Sequence, residues 1–199
     1  MKYQTLSLIA VASALDNGVG LVPQMGWNSW NKFGCGISEE LIKATADQVI
    51  EMGLDKIGYN HVNLDDCWMQ EKRYENGHVK ISEEFPSGMK HLADYMHSVG
   101  LKFGLYSSAG VMTCEKRAGG LGYETEDAED YAAWGVDYLK YDNCFNDDVP
   151  ALQRYPVMRD ALNKTTSVTG RPIFYSICNW GEEDTIAWAA DVGNSWRTT

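Results

Sequence analysis

Cations are scarce in this chain of 199 residues: 17 Lys and Arg stand against 28 Asp and Glu, a formal net charge of −11, with a pI near 4.7. A phosphate backbone or an anionic lipid surface would be repelled, which argues against nucleic-acid and membrane-surface partners. Long apolar runs are lacking too. Only residues 6–14, LSLIAVASA, are continuously apolar, and that is too short to span a bilayer. With Lys2 before it and Ala12-Ser13-Ala14 as a small-x-small cleavage site, the pattern predicts a secretory signal peptide over residues 1–14 and a secreted mature protein. Repeats, linkers and low-complexity tracts are absent, so residues 15–199 read as one domain, and 44% apolar content suffices for a core. No dinucleotide fingerprint follows the first strand; Gly119-Gly120-Leu121-Gly122 lies in a long loop and reads as a turn. No Cys-x-x-Cys or His-x-His spacing implies a metal, and nothing implies a cofactor. His61, His78, His91 and His97 are scattered and read as structural or surface residues.

What is present fits export. Cysteines at 35, 67, 114, 144 and 178 suit an oxidising compartment, and an odd count leaves at least one unpaired within the chain. Asn163-Lys164-Thr165 is the single glycosylation sequon, meaningful if the chain is exported.

Strand and helix signals alternate. Strand-like runs fall at 21–27, 59–65, 101–107, 136–142, 172–178 and 192–197. Helical patterns fall at 38–52, capped by Ser38 with Ile42, Ala46, Val49 and Ile50 on one stripe, and at 89–98, 125–134, 155–163 and 183–189. The carboxylates of 124–130 crowd a helix start, where the macrodipole favours them. Repeated βα units with buried strands predict an α/β fold with a parallel sheet and right-handed crossovers, a (β/α)8 TIM barrel in preference to a Rossmann sheet. Such a barrel needs eight strands. Six are visible, so the chain is expected to be the N-terminal portion of that barrel, truncated after about six βα units.

The segment 136–144, VDYLKYDNC, carries the most information. Alternation in a strand puts Tyr138, Lys140 and Asp142 on one face. A cation and an anion together at a strand's C-terminal end are costly to bury without a purpose, and barrels place their chemistry at that end. The other strand ends are equally polar: Trp27-Asn28 and Trp30, Asp65-Asp66-Cys67-Trp68, Tyr106-Ser107-Ser108, Cys178-Asn179-Trp180 and Trp196-Arg197. Together they form a ring around one mouth, the default place for a binding site. Cys35 and Cys67 follow the neighbouring first and second strands, Cys114 and Cys144 the third and fourth. Bridges Cys35–Cys67 and Cys114–Cys144 would each close a loop of about 30 residues and stabilise it by a few kcal/mol. Cys178 is left unpaired at the mouth.

The blocks PQMGWNSW (23–30), NLDDCW (63–68), GLYSSAG (104–110), YLKYDNC (138–144), YSICNWG (175–181) and NSWR (194–197) resemble glycoside hydrolase family 27, the α-galactosidases, especially secreted fungal and plant members. The resemblance implies retaining hydrolysis of terminal α-D-galactosides, a galactoside as the partner, and no cofactor or metal. It implies Asp142 as the nucleophile. Asp65 and Asp66 would accept from the sugar's 6- and 4-hydroxyls, and Lys140 would reach the ring hydroxyls and keep Asp142 ionised. Trp27 would line the apolar sugar face, Tyr106 would sit beside the nucleophile, and Cys178, Trp180 and Arg197 would surround the 2-hydroxyl. The family's general acid lies four residues past the arginine of the last block. Only Thr198 and Thr199 follow Arg197 here, so the acid/base is expected to be absent from this chain and the chain alone to be inactive. Asp184 and Asp191 fall in the preceding helix region and are poor substitutes.

Two alternatives share these residues. An α-N-acetylgalactosaminidase would need room at C2 that Cys178 and Trp180 do not leave, and a non-catalytic galactose-binding protein would not need a nucleophile. A Schiff-base lyase built on Lys140 would need a depressed amine pKa, which Asp142 opposes.

Overall fold

The computed structural model describes residues 15–199; the signal-peptide expectation at 1–14 lies outside them. Six strands, β1 (Met25–Asn28), β2 (Tyr59–Asn63), β3 (Lys102–Ser108), β4 (Tyr138–Asp142), β5 (Phe174–Cys178) and β6 (Ser195–Trp196), pair in chain order. All five pairings are parallel. Between the strands run α1 (Trp30–Phe33), α2 (Glu39–Glu51), α3 (Gly88–Ser98), α4 (Glu124–Trp134), α5 (Ala151–Thr169) and α6 (Thr185–Val192). This is a half-barrel of (β/α) units, with the helices on one face of a curved sheet. No helix among the described residues is long and apolar enough to cross a membrane.

Local chemistry accounts for the elements. Ser38 Oγ accepts from the Leu41 N–H at 3.2 Å and starts α2, whose Ile42, Ala46 and Val49 are buried. Left-handed Gly135 and Gly170 end α4 and α5. Phe103, Leu105, Leu139, Tyr141, Tyr175 and Ile177 turn outward into one core with Leu92, Met96, Tyr131, Tyr155 and Met158. The opposite set, Gly104, Tyr106 and Ser108 with Tyr138, Lys140 and Asp142, turns inward in register. Gly104 is required there: any Cβ would strike the Asn63 amide.

Several boundaries differ from expectation. The first strand begins at Met25, not 21, because Pro23 offers no N–H to a ladder; Leu21 and Val22 are exposed. The helix expected at 155–163 runs from Ala151 to Thr169 in spite of Pro156. The carbonyl that proline leaves unpaired belongs to Leu152, which is exposed, so water can satisfy it. The last helix starts at Thr185 because Glu183 and Asp184 adopt left-handed φ. The short α1 had no signal of its own. Asn163 is exposed on α5, and the sequon's Thr165 hydroxyl donates to the Leu162 carbonyl at 2.9 Å.

Candidate active site

The inward rows of the sheet stack polar residues in layers. Tyr106, Lys140 and Ser176 form one row, and Ser108, Asp142 and Cys178 the next toward the C-terminal ends. Just past β2, Asp65 and Asp66 are both buried.

Lys140 Nζ donates to Asp65 Oδ2 at 2.8 Å and lies 3.9 Å from Asp142 Oδ2. Its tighter partner is therefore Asp65. Burial works to lower the Lys140 pKa, but the charge and hydrogen bond of Asp65, with Cys178 and Asp142 behind, outweigh it and raise the net value. Asp65 Oδ2 also accepts from Asn28 Nδ2 at 2.9 Å, and its Oδ1 from the Asp66 N–H at 3.0 Å. Asp66 accepts the Cys67 N–H at 2.7 Å and the Glu115 N–H at 2.9 Å. Burial, then the neighbouring Asp65 charge, raise its pKa against those donors. A carboxylate offers about four acceptor positions, so each aspartate keeps room for a further hydroxyl.

Asp142 is 5% exposed. Its Oδ1 accepts the Asn143 N–H at 2.9 Å and the Trp180 indole N–H at 2.8 Å. Trp180 reaches it from a left-handed backbone, φ +59°, which turns the chain sharply after β5. Cys178 is a free, buried thiol, its pKa pushed up to about 11 by burial and then by the Asp142 charge. Arg197 hydrogen-bonds to it and works the other way.

Disulfides Cys35–Cys67 and Cys114–Cys144 both form, with Cα separations of 5.3 and 5.1 Å. Tyr106 is buried under Lys140, whose Nζ stands 4.9 Å from the ring centre; its hydroxyl donates to Cys114 Sγ at 3.1 Å. Cys114, Asp142 and Cys144 form a compact trio, but both sulfurs are used in the bridge and offer no thiolate to a metal. An open recess of about 380 Å³ runs along Lys140, Ser176, Cys178 and Arg197. A larger surface cleft, about 640 Å³, lies elsewhere against α2. It is lined by Glu39, Glu40, Asp47, Glu83 and Glu84, and its one cation, Lys43, is tied to Glu39. It has the character of a solvated acidic surface.

Of the residues singled out in the sequence, the structure gathers Asp65, Asp66, Tyr106, Lys140, Asp142, Cys178, Trp180 and Arg197. Trp27 is the correction. It pairs in register with Val62 on the helix-facing side and packs on Phe33 at 6.0 Å. Strand alternation sends the next residue, Asn28, inward instead. Asn28, Asn143 and Arg154 carry contacts to the site that the sequence reading did not assign. Period-two alternation was signal enough for Asn28; Arg154, one arginine in an amphipathic helix, gave none.

A family model described as alpha galactosidase A matches residues 22–195. α-Galactosidase 3 of Arabidopsis thaliana is 58% identical over 186 residues, taking in 93% of this chain and 42% of that protein. The Coffea arabica α-galactosidase is 54% identical over 189 residues, 94% of this chain and 49% of that one. The Saccharomyces cerevisiae α-galactosidase solved with raffinose superposes at a TM-score of 0.88 with 48% identity, over 93% of this chain and 41% of its own. The chain thus spans less than half the length of these relatives. With the matched segment running from before β1 to the start of β6, the chain belongs to the α-galactosidase family, glycoside hydrolase family 27.

Proposed function

We propose that this chain supplies the galactose-binding half and the nucleophile of a retaining α-galactosidase. The observation that carries the reading is the arrangement of Asp142: two N–H donors occupy Oδ1, while Oδ2 stands 3.9 Å from the Lys140 ammonium without a hydrogen-bond donor from the backbone or Trp180. Asp142 Oδ2 forms a bond to the anomeric carbon as the glycosidic C–O bond breaks. That bond's electron pair leaves on the aglycone oxygen, which takes a proton from a general acid, and water later hydrolyses the covalent galactosyl ester. Asp65 and Asp66 accept from the 6- and 4-hydroxyls, where charge-assisted hydrogen bonds distinguish an axial from an equatorial hydroxyl. Lys140 joins them as a donor to the ring hydroxyls. Tyr106 supports Lys140 from below, and Cys178, Trp180 and Arg197 bound the sugar at its 2-hydroxyl.

The proton donor is not among residues 15–199 in this reading. Asp65 already accepts from Asn28, Lys140 and a backbone N–H, and Asp184 and Asp191 are exposed. The α-galactosidase names of the relatives and the S. cerevisiae structure with raffinose support galactosides as the substrate class. Export through residues 1–14 is part of the same reading, as is glycosylation at Asn163; the two disulfides are consistent with it. Against an N-acetylgalactosaminidase stands the crowding of Cys178 and Trp180 around C2; nitrophenyl α-galactoside should be cleaved far faster than its N-acetyl counterpart.

The decisive experiment is Asp142→Asn in the full-length gene product. The expected loss in kcat is on the order of 10⁴-fold or more, with galactose affinity retained, since the variant keeps the shape but not the nucleophilic anion. A fluorosugar inactivator should label Asp142. Turnover surviving in the variant, or label on another residue, removes the assignment.

A further inference from the structure

Arg154, in the first turns of α5, has no solvent exposure at all. Withdrawing a full charge from water costs several kcal/mol, and an apolar residue of equal volume often stabilises a core as well or better. The nearest carboxylate, Glu183, is 3.9 Å away with its side chain 43% exposed. The guanidinium is spent otherwise. Nε donates to the Val149 carbonyl at 2.6 Å, Nη1 to the Ala109 carbonyl at 2.9 Å and Nη2 to Asn143 Oδ1 at 2.8 Å. One planar group thus ties the exit of β3, the exit of β4 and the loop before α5 to a single point.

What it ties leads to the nucleophile. Asn143, itself 1% exposed, donates through its side chain to Glu182 Oε2 at 3.0 Å and through its backbone N–H to Asp142 Oδ1 at 2.9 Å. The neighbouring Tyr155 hydroxyl donates to the Asp142 carbonyl at 3.0 Å. The peptide unit that follows the Asp142 side chain is therefore held from α5, by Tyr155 at the Asp142 carbonyl and by Arg154 through the Asn143 side chain.

We propose that Arg154 is a positioning residue for glycosidic cleavage: by holding Asn143 it fixes the plane of the Asp142 carboxylate, so that Oδ2 rather than Oδ1 meets the anomeric carbon. Arg154 exchanges no proton and touches no substrate; it acts through Asn143. The proposal rests on the reading of Asp142 as nucleophile.

The test uses Arg154→Lys and Asn143→Ala in the full-length gene product, with Asp142→Asn beside them. A lysine has a point charge but no fork to reach three acceptors. For both variants kcat on nitrophenyl α-galactoside and the rate of fluorosugar labelling should fall by roughly 10- to 100-fold, the scale of an ångström-level misplacement, while galactose Kd stays within about threefold. Folding is checked by thermal melting. Should Arg154→Lys fail to fold, Asn143→Ala decides, because it leaves the packing of α5 in place. Folded variants with unchanged kcat overturn the proposal. So does a loss of kcat matched by an equal loss of galactose affinity, which is the signature of general collapse. Activity surviving in Asp142→Asn would instead remove the nucleophile assignment, so the two failures are told apart.

Discussion

Cys178 and Lys140 share the floor beside Asp142, and burial drives each toward its neutral form. They end differently because their partners differ. For Lys140 the Asp65 charge overrides burial, so the side chain stays an ammonium donor and gives no free amine for Schiff-base chemistry. For Cys178 burial and the Asp142 charge act together, and the thiol is pushed up to about 11. A thiol that ionises two units above its ordinary value of 9.0 carries about 100-fold less thiolate at pH 8. Iodoacetamide should therefore modify native Cys178 at least that much more slowly than the unfolded chain, the rate rising tenfold per pH unit toward pH 11. Mass-spectrometric labelling across that range checks it; rapid modification at pH 7 would contradict the burial argument. At this scale the sequence was legible wherever strand alternation governs, as for Lys140, Asp142 and Cys178. The family resemblance offered Trp27 as a sugar platform, but one step of alternation puts the ring against Phe33. The sequence was silent on the Trp180 bond to Asp142, because that contact depends on a left-handed residue that no local propensity announces.

Loops above the sheet are held by a second arginine, partly buried and on a different segment. Arg73, in the segment between β2 and α3, donates to both Asp127 oxygens at 2.5 and 2.8 Å. It also donates to the Gly77 carbonyl at 2.9 Å and the Gly119 carbonyl at 2.6 Å. It thereby fastens two long loops to the first turn of α4. The carboxylates of that turn were legible as helix-start residues, but not that Asp127 is fully buried and paired across 54 positions of sequence; dipole reasoning leaves such a residue in solvent. Arg73→Met would strand a buried carboxylate and two carbonyls, a loss of about 3–5 kcal/mol. Adding Asp127→Leu should restore part of it, because the double variant removes the uncompensated charge as well. Urea unfolding of the two singles and the double reads the coupling directly. A single variant that loses under about 1 kcal/mol, the scale of a solvated pair, would mean that water reaches the site. The strand order and the α2 cap were readable for the opposite reason. Both depend on patterns a few residues long, Ser38 with the following stripe being the clearest.

The half-barrel as a whole is acidic, doubly bridged and carries one inward histidine at the end opposite the mouth. His61 on β2 pairs in register with Gly26 and Lys102, and its ring meets Tyr138 edge-on at 6.1 Å. Burial first, then the Lys102 charge, lower its pKa below the ordinary 6.5; bonding to Met25 and the Asp137 charge oppose this without prevailing. The unfolded chain therefore binds a proton at a higher pH than the folded one, and across that window stability rises with pH. The contribution is complete above about pH 6.5, the value for a free imidazole, and is lost as pH falls through the lower, folded value. His61→Gln removes this term while keeping a polar side chain of similar reach. Melting temperatures of the chain and the variant, taken from pH 7.5 down to 5, should converge as the medium acidifies, because only the parent loses stability by protonating that position in the unfolded state. Carboxylates titrating elsewhere shift both curves alike and cancel in the difference. A gap between the two that stays constant over that range would show that His61 does not resist protonation in the fold, and the interior near the start of β2 would then have to be wet.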